Sequence, residues 1–189
     1  MRYPNAMTTR TRATTRDLYT IPNGVKAELV QGEIVIMSPT GAKPGNAAGI
    51  VYASLLNHAM DTNVGWAFTD NIGFLVNLPH RESFSPDAAY FLGSRDTMKF
   101  LEGAPIFALE VRSEGDYGPG AERAMAQKRA DYFACGTLVV WDVDLLSDEV
   151  VRSYRADQPY TPTIFRRGET ANAIPALEAW TLEVNRLFL

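Results

Sequence analysis

The sequence predicts an α+β or α/β fold in which helices flank a mixed β-sheet. Short runs of β-branched and aromatic residues recur along the chain and indicate strands. Two longer stretches, at about 47–61 and 120–135, repeat apolar residues at helical spacing. The chain has no internal repeat and no linker rich in Pro, Gly or Ser. We therefore expect a single domain over residues 17–189, preceded by a flexible basic tail over residues 1–16.

The composition is that of a globular protein with one sizeable core. The chain has 189 residues, of which 46% are hydrophobic and 21% charged. It contains no apolar stretch of membrane-spanning length, and its first residues lack the apolar segment of a secretory signal. We expect a cytoplasmic protein with no membrane partner. A single cysteine, Cys135, excludes an internal disulfide framework and a cysteine-rich zinc site.

The charge is distributed unevenly along the chain. Residues 1–16 carry four arginines and no acid, which leaves 14 basic against 22 acidic residues in the remainder, a difference of −8. This acidic balance argues against broad, salt-driven binding to nucleic acid. The basic, Thr-rich start is also compatible with an organellar transit peptide, which is the alternative to a flexible tail.

The first part of the chain predicts a short helix, a hairpin and a long helix. Gln31 and Gly32 are a tight-turn signal between two apolar strands. Asn46 is expected to cap the long helix, because its side chain can accept a hydrogen bond from a free backbone N–H group. Four apolar residues recur at helical spacing and are expected to face the core: Ile50, Ala53, Leu55 and Leu56. The elements expected here are a helix at about 14–19, strands at 27–30 and 33–37, and a helix at 47–61.

The remainder predicts strands around one further helix. Gly136 is expected to end that helix, because glycine readily adopts the left-handed conformation that follows a helix. The strands expected before the helix are 66–69, 73–76, 87–91 and 106–111, the helix itself is 120–135, and a strand pair follows in "TLVVWDVD" and "EVVRSYRA".

Two carboxylates interrupt strands that should be buried. Side-chain alternation along "APIFALEVR" places Ala108, Glu110 and Arg112 on one face of the strand. Asp87, at the start of another strand, shares a face with Ala89. A carboxylate in the protein interior without a cation is costly, so each of these two must be protonated, paired with a cation or bound to a metal ion.

A lysine lies in the middle of the core-facing stripe of the second long helix. At 100° per residue, Lys128 falls on the same arc as Ala124, Met125 and Tyr132. Lysine is almost never fully buried without a partner. Lys128 either extends past Tyr132 to solvent, forms a simple salt bridge with Glu110, or belongs to a site built with the two carboxylates.

Five ordered stretches of the chain resemble a known family. They are "ELVQGEIVIMSP", "SPDAAYF", "APIFALEVRSEGDY", "KRADYFACG" and "LVVWDVD". In order and approximate spacing they are similar to the Uma2 family of bacterial restriction-endonuclease-like proteins, which belongs to the PD-(D/E)xK nuclease superfamily. The resemblance runs from about Asp17 to the C-terminus. It implies a restriction-endonuclease-like core with a mixed sheet flanked by helices, and a homodimeric, metal-dependent endonuclease that hydrolyses nucleic acid, with DNA as the expected substrate.

The resemblance also implies a role for each candidate site residue. Asp87, Glu110 and the backbone carbonyl of Val111 are expected to hold one or two Mg²⁺ or Mn²⁺ ions, which prefer oxygen ligands. Lys128, displaced from the strand onto the following helix, is expected to orient the attacking water or to stabilise developing charge. Glu28 either adds a further carboxylate to the site or is an exposed hairpin residue.

The chain departs from the family pattern in two places. Superfamily members with the undisplaced pattern have Glu-x-Lys on the strand, whereas here the third residue is Arg112. Arginine does not act as a general base, but it can stabilise phosphate charge as an accessory residue. A histidine that the family often has soon after "SP" is absent from "SPTGAKPGN". The alternative function is therefore a non-catalytic, oligomeric binding or regulatory protein that retains the nuclease fold.

Overall fold

The structure is a computed structural model that describes residues 12–22 and 25–189. Positions 1–11 of the expected basic tail lie outside the described residues. Helix α1 (Thr15–Leu18) overlaps the last two positions of that tail. It begins after Thr14, whose backbone N–H and hydroxyl both donate hydrogen bonds to Asp17, at 2.7 and 2.8 Å.

The remaining elements alternate strands with two long helices. In chain order they are β1 (Ala27–Val30), β2 (Glu33–Ile36), α2 (Ala42–Thr62), β3 (Trp66–Thr69), β4 (Phe74–Leu78), β5 (Arg81–Phe84), β6 (Ala88–Phe91), β7 (Leu101–Glu102), β8 (Phe107–Val111), α3 (Pro119–Ala134), β9 (Val139–Val143), β10 (Val151–Arg155), β11 (Gln158–Phe165), β12 (Thr170–Ala173), β13 (Leu177–Glu183) and a final 3₁₀ helix (Val184–Phe188). Within the two described ranges, no helix is both long and apolar enough to cross a bilayer.

The strands form three sheets. The six-stranded sheet has the order β11-β10-β9-β8-β6-β3, and the five-stranded sheet has the order β2-β1-β5-β4-β7. Strands β8 and β9 run parallel and are joined through α3, while the other neighbours in the six-stranded sheet are antiparallel. Strands β12 and β13 form a separate pair. The expected mixed sheet with flanking helices is confirmed.

Strand β8 separates two apolar clusters. Phe107 and Leu109 pack into a cluster with residues of α2 and β13. Ala108 packs into the other cluster with Tyr132 of α3 and with aromatic residues of β4 and β5. Alternate side chains of β8 therefore enter opposite sides of the six-stranded sheet, as the alternation in the sequence predicts.

The hairpin and the turn between its strands are as expected. Gln31 and Gly32 both have positive φ, 54° and 75°, and they connect β1 to β2. Two successive residues of this kind are typical of the tight turn whose twist matches that of the flanking strands.

The expected start of the long helix is wrong, and of its expected core-facing residues only Leu55 is buried. Helix α2 begins at Ala42, four residues before Asn46, and Gly41 takes the N-cap position. The helix tolerates Pro44 because a first-turn residue has no intrahelical partner for its N–H group. Asn46 instead donates a side-chain hydrogen bond to the carbonyl of Leu189. The face packed in the core is formed by Ala47, Ala48, Val51, Leu55 and Ala59.

The chain crosses from one sheet to the other between β5 and β6. Strand β5 pairs with β1 and β4 in the five-stranded sheet, whereas β6 pairs with β8 and β3 in the six-stranded sheet. The connection consists of Ser85, Pro86 and Asp87. This crossing brings β1, the end of β8 and helix α3 together, and the polar side chains that the sequence singled out converge there.

Candidate functional site

The ammonium of Lys128 points toward the two sheets. Its Nζ atom lies 2.8 Å from Oε1 of Glu110 on β8 and 2.9 Å from Oε1 of Glu28 on β1. The Lys128 side chain is only 17% exposed. The interpretation that Lys128 extends outward past Tyr132 is therefore wrong, and the lysine instead bridges carboxylates from both sheets.

Asp87 lies beside the end of β8. Its backbone N–H donates to the carbonyl of Leu109 at 3.0 Å, and its Oδ2 accepts from the N–H of Val111 at 2.8 Å. These two bonds hold the Asp87 carboxylate next to the peptide that follows Glu110. The structure thus brings Asp87, Glu110 and Lys128 together, with the backbone of Val111 between the two acids.

Sequence reasoning missed a second lysine in this cluster. Nζ of Lys26 lies 2.7 Å from Oδ1 of Asp87 and 2.6 Å from Oδ1 of Asp70, which follows β3. Lys26 precedes Glu28 by two positions at the start of β1. Because alternate residues of a strand share a face, this spacing was a signal that could have placed Lys26 beside Glu28.

Glu28 is buried, so the alternative of an exposed hairpin residue is wrong. The residue is 5% exposed. Its Oε1 accepts a hydrogen bond from the N–H of Ser85 at 2.9 Å, and its Oε2 accepts one from Arg81 at 2.6 Å. Glu28 therefore anchors the ammonium of Lys128 from the side opposite Glu110.

A buried arginine connects this anchor back to helix α3. Arg81, also missed in the sequence, donates from Nε to Oδ2 of Asp131 at 2.7 Å. Asp131 lies one turn beyond Lys128, and it also contacts His80 at 2.8 Å and Gln127 at 2.8 Å. The helix that carries Lys128 is thus tied through Arg81 to the glutamate that Lys128 contacts.

Tyr132 provides a second attachment of α3. Its ring stacks on Phe84 at a centroid distance of 4.0 Å, and its hydroxyl donates to Oε1 of Glu110 at 2.7 Å. The hydroxyl of this fully buried residue satisfies one Glu110 oxygen. Among the residues that the structure describes, none donates a hydrogen bond to the other oxygen, Oε2.

Arg112 is engaged with other acids. Its guanidinium makes two hydrogen bonds to Asp142, both at 2.8 Å, and it also pairs with Glu122 near the start of α3. The side chain is 4% exposed. Arg112 therefore fastens β8 to β9 and to α3. The accessory role beside Glu110 remains a sequence prediction.

The site environment shifts the pKa values of its two glutamates in opposite directions. Burial raises the pKa of Glu110 above its ordinary value, and the nearby Asp87 and Glu28 add to this effect, although Lys128 and Lys26 oppose it. Burial also acts to raise the pKa of Glu28, but the cations of Lys128 and Arg81 outweigh it and the pKa is lowered. Despite its burial, Lys128 has a raised pKa because Glu110 and Glu28 stabilise its charge.

The charges of the network leave room for a cation. Three cations, Lys26, Arg81 and Lys128, connect five carboxylates in the ion pairs of the site. One divalent ion would balance the two carboxylates in excess. The five carboxylates are Asp70, Asp87, Glu28, Glu110 and Asp131.

The donor atoms near Asp87 fit a hard divalent ion. No cluster of three or more His, Cys, Asp or Glu side chains in the described part of the chain is arranged to hold a metal by itself. Mg²⁺, however, is usually held by one or two carboxylates, and waters and substrate phosphates complete its octahedron. Asp87, Glu110 with its available Oε2, and the carbonyl of Val111 are a donor set of this kind.

Comparisons with known proteins identify the fold and the family of the chain. No curated protein matches the chain. The fold is similar to the crystal structure of a protein from Anabaena variabilis ATCC 29413, described as a putative nuclease belonging to DUF820. The TM-score is 0.72 and the sequence identity 16%, over 93% of this chain and 97% of that one. The model of the Uma2 family, described as "Putative restriction endonuclease", matches residues 14–185. This match covers most of the chain, and the chain belongs to the Uma2 family.

Proposed function

We propose that the protein is a metal-dependent endonuclease that hydrolyses phosphodiester bonds of nucleic acid, with DNA as the expected substrate. The observation that carries this proposal is the convergence of Glu110, Lys128 and Asp87 at the sheet junction. Lys128 lies 2.8 Å from Glu110, and Asp87 is held against the next peptide by the N–H of Val111. Membership of a family whose model is described as "Putative restriction endonuclease" supports the same activity.

In this proposal, Asp87, Glu110 and the carbonyl of Val111 hold Mg²⁺ or Mn²⁺. The bound ion would supply a Lewis acid for the scissile phosphate and lower the pKa of an attacking water. Glu110 offers its Oε2, because Oε1 already accepts from Tyr132 and Lys128. The Glu110 side chain is 21% exposed, so this carboxylate can be reached from solvent.

The role of Lys128 follows from its protonation. Because Glu110 and Glu28 raise its pKa above the ordinary lysine value, Lys128 stays charged at neutral pH. A protonated ammonium cannot accept a proton, so Lys128 is not a general base. It can donate hydrogen bonds that orient a water or stabilise negative charge on a phosphate oxygen. Glu28 and Arg81 would fix the position of that ammonium.

The experiment is a cleavage assay with plasmid DNA, single-stranded DNA and RNA, each with Mg²⁺, Mn²⁺ or EDTA. We expect metal-dependent cleavage that falls by roughly 100-fold or more in Asp87→Asn and in Lys128→Met, the usual cost of losing an electrostatic contact in the transition state. Glu102→Gln, which alters an exposed acid on β7, is the matched control and should cut normally. Wild-type protein that cuts none of the substrates, or Asp87→Asn protein that cuts as well as wild type, would overturn the proposal.

The alternative of a non-catalytic binding protein makes a different prediction. The lysine partners already present on Asp87 and Glu110 are compatible with a site that no longer binds metal. Such a protein would show no change in melting temperature with Mn²⁺, because a ligand stabilises only the state that binds it. A rise in melting temperature with Mn²⁺ that is absent in Glu110→Ala would exclude this alternative.

We also propose that the protein acts as a homodimer. The proposal rests on family likeness and on the frequency of two-fold symmetric pairs among soluble oligomers. Light scattering coupled to gel filtration measures the mass directly. A monomeric mass at the concentrations of the cleavage assay would contradict the dimer.

A further inference from the structure

Lys26 is shared between two acids that come from different parts of the fold. Its Nζ lies 2.6 Å from Asp70 and 2.7 Å from Asp87, and its side chain is only 14% exposed. Asp70 follows β3 at one edge of the six-stranded sheet, whereas Lys26 lies just before β1 of the other sheet. Strands β1 and β3 belong to different sheets and do not pair with each other. The ion pairs of Lys26 therefore link two segments that strand pairing leaves unconnected.

The two oxygens of Asp87 have different partners. Oδ2 accepts from the N–H of Val111, while Oδ1 faces Lys26. A metal ion that binds Asp87 through Oδ1 would share this oxygen with the ammonium of Lys26. A carboxylate oxygen has two lone pairs and can contact the metal ion and the ammonium at the same time. The two cations then repel each other.

Asp70 gives the ammonium a second attachment. It is 38% exposed in its side chain and lies within 2.6 Å of Lys26. If a metal ion binds Asp87 and weakens its contact with Lys26, the ammonium can keep its contact with Asp70 and stay in the site. Without the ammonium, Asp70 and Asp87 would face each other as like charges.

We propose that Lys26 is a positioning residue that acts as an internal counter-ion of the metal site. It holds Asp87 in place when no metal is bound, and it lowers the affinity of the site for a divalent ion by competing for Oδ1. This inference rests on the proposed function, because it assigns Lys26 a task at the same metal site. Lys26 and Asp70 would then set the affinity of the site for metal, although neither is placed among the metal ligands.

The test measures Mn²⁺ binding by titration calorimetry, without nucleic acid and at constant ionic strength. In Lys26→Met we expect Mn²⁺ to bind roughly tenfold more tightly, within the range usual for coupling between two sites. In Asp70→Asn we expect weaker binding, because Lys26 then pairs with Asp87 alone and the site loses a negative charge. Lys26→Arg keeps the charge and should bind Mn²⁺ as wild type does. Lys43→Met, at an exposed lysine of α2, is the matched control and should change nothing.

Lys26→Met and Asp70→Asn are expected to change the Mn²⁺ affinity in opposite directions. This difference separates the proposed role of Lys26 from a purely structural one. A structural role would lower the melting temperature and leave the Mn²⁺ affinity of the folded fraction unchanged. Weaker or unchanged binding in Lys26→Met, or tighter binding in Asp70→Asn, would overturn the inference. If Lys26→Met does not fold, Lys26→Gln takes its place with the same expected sign.

The experiments distinguish failure of the proposed nuclease activity from failure of the proposed counter-ion role of Lys26. If wild-type protein binds no Mn²⁺, the metal-dependent nuclease and the counter-ion are both overturned. If wild-type protein binds Mn²⁺ and cuts nucleic acid but Lys26→Met binds no more tightly, only the counter-ion is overturned. If it binds Mn²⁺ and cuts nothing, the nuclease fails, and the two variants alone decide the role of Lys26.

Discussion

Glu28 and Glu110 contact the same ammonium, yet their surroundings affect stability in opposite directions. The folded-state pKa of Glu28 is lowered, so its charge stabilises the fold above the unfolded pKa, and that stabilisation is lost as the pH falls through the folded value. The folded-state pKa of Glu110 is raised, so the folded protein binds the proton more tightly than the unfolded chain. Stability therefore falls as the pH rises from the unfolded pKa of Glu110 to the folded one.

The same chemical change should therefore have different results at the two positions. Glu28→Gln removes one of the two charged partners of each of the buried cations Arg81 and Lys128, while Asp131 and Glu110 remain. We expect a loss of about 3 kcal/mol, the low end of the range for a broken buried pair. Glu110→Gln removes a charge that burial disfavours, and we expect a melting temperature at pH 7 equal to or above that of wild type. Urea and thermal unfolding followed by circular dichroism measure both changes. Comparable destabilisation by the two variants would contradict the assigned pKa directions.

At the scale of single residues, two acids of the site were predictable, whereas Asp70, Asp131 and two of the cations were not. Glu110 and Asp87 interrupt apolar strands, so their positions alone indicate a special role. Lys26 and Arg81 lie outside the apolar runs, and their partners are far away in sequence. Their role depends on how β1, β5 and α3 meet, which local patterns do not contain.

Among the elements, the β1–β2 hairpin supports the site because β1 carries Glu28 and begins next to Lys26. Its turn places Gln31 at φ 54° before Gly32. This left-handed conformation is strained for residues other than glycine, and asparagine adopts it more readily than glutamine does.

Gln31→Asn should therefore stabilise the protein, by roughly 0.5–1 kcal/mol. Gln31→Val is the paired control at the same position, and it should destabilise, because a β-branched residue is poorly suited to positive φ. Urea denaturation midpoints measure both variants. Equal midpoints for the two would show that the turn is not strained at this residue.

The elements that local patterns predicted are those with regular alternation or clear turn signals. The β1–β2 hairpin and β3 were expected at their observed or nearly observed positions, and β8 with its two faces was also expected. Strand β5 was missed because "RESF" lacks an apolar alternation. Its polar residues are buried through distant partners: Ser83 accepts from the N–H of Leu29 at 2.8 Å, and Arg81 bridges Glu28 and Asp131. Tertiary contacts, and not propensity, make this segment a strand.

At the scale of the whole molecule, the protein carries a formal net charge of −4. A protein with a net negative charge repels phosphates overall, so its binding to nucleic acid should gain little from the release of counterions. A divalent ion held between Asp87 and Glu110 would instead connect the acidic site to a phosphate. We expect affinity for nucleic acid to depend on the metal ion more than on salt.

Fluorescence anisotropy with a labelled DNA duplex tests this expectation, with Ca²⁺ in place of Mg²⁺ to limit cleavage. Binding in Ca²⁺ should be at least tenfold tighter than in EDTA, and Asp87→Asn should remove the difference, because it removes one of the proposed carboxylate ligands. The salt dependence in EDTA should be shallow. Tight binding in EDTA with a steep salt dependence would indicate a basic surface that the charge balance does not suggest.

Arg112 occupies the strand position two residues after Glu110, and Lys128 reaches Glu110 from helix α3. Its guanidinium is held by Asp142 and Glu122, so the third position of the strand motif now fastens three segments together. Lysine lacks the planar fork needed to replace those bonds. Arg112→Lys would therefore weaken the attachment of β8 to β9 and α3. The position two residues after Glu110 is thus committed to joining three segments, which leaves helix α3 to bring an ammonium to Glu110.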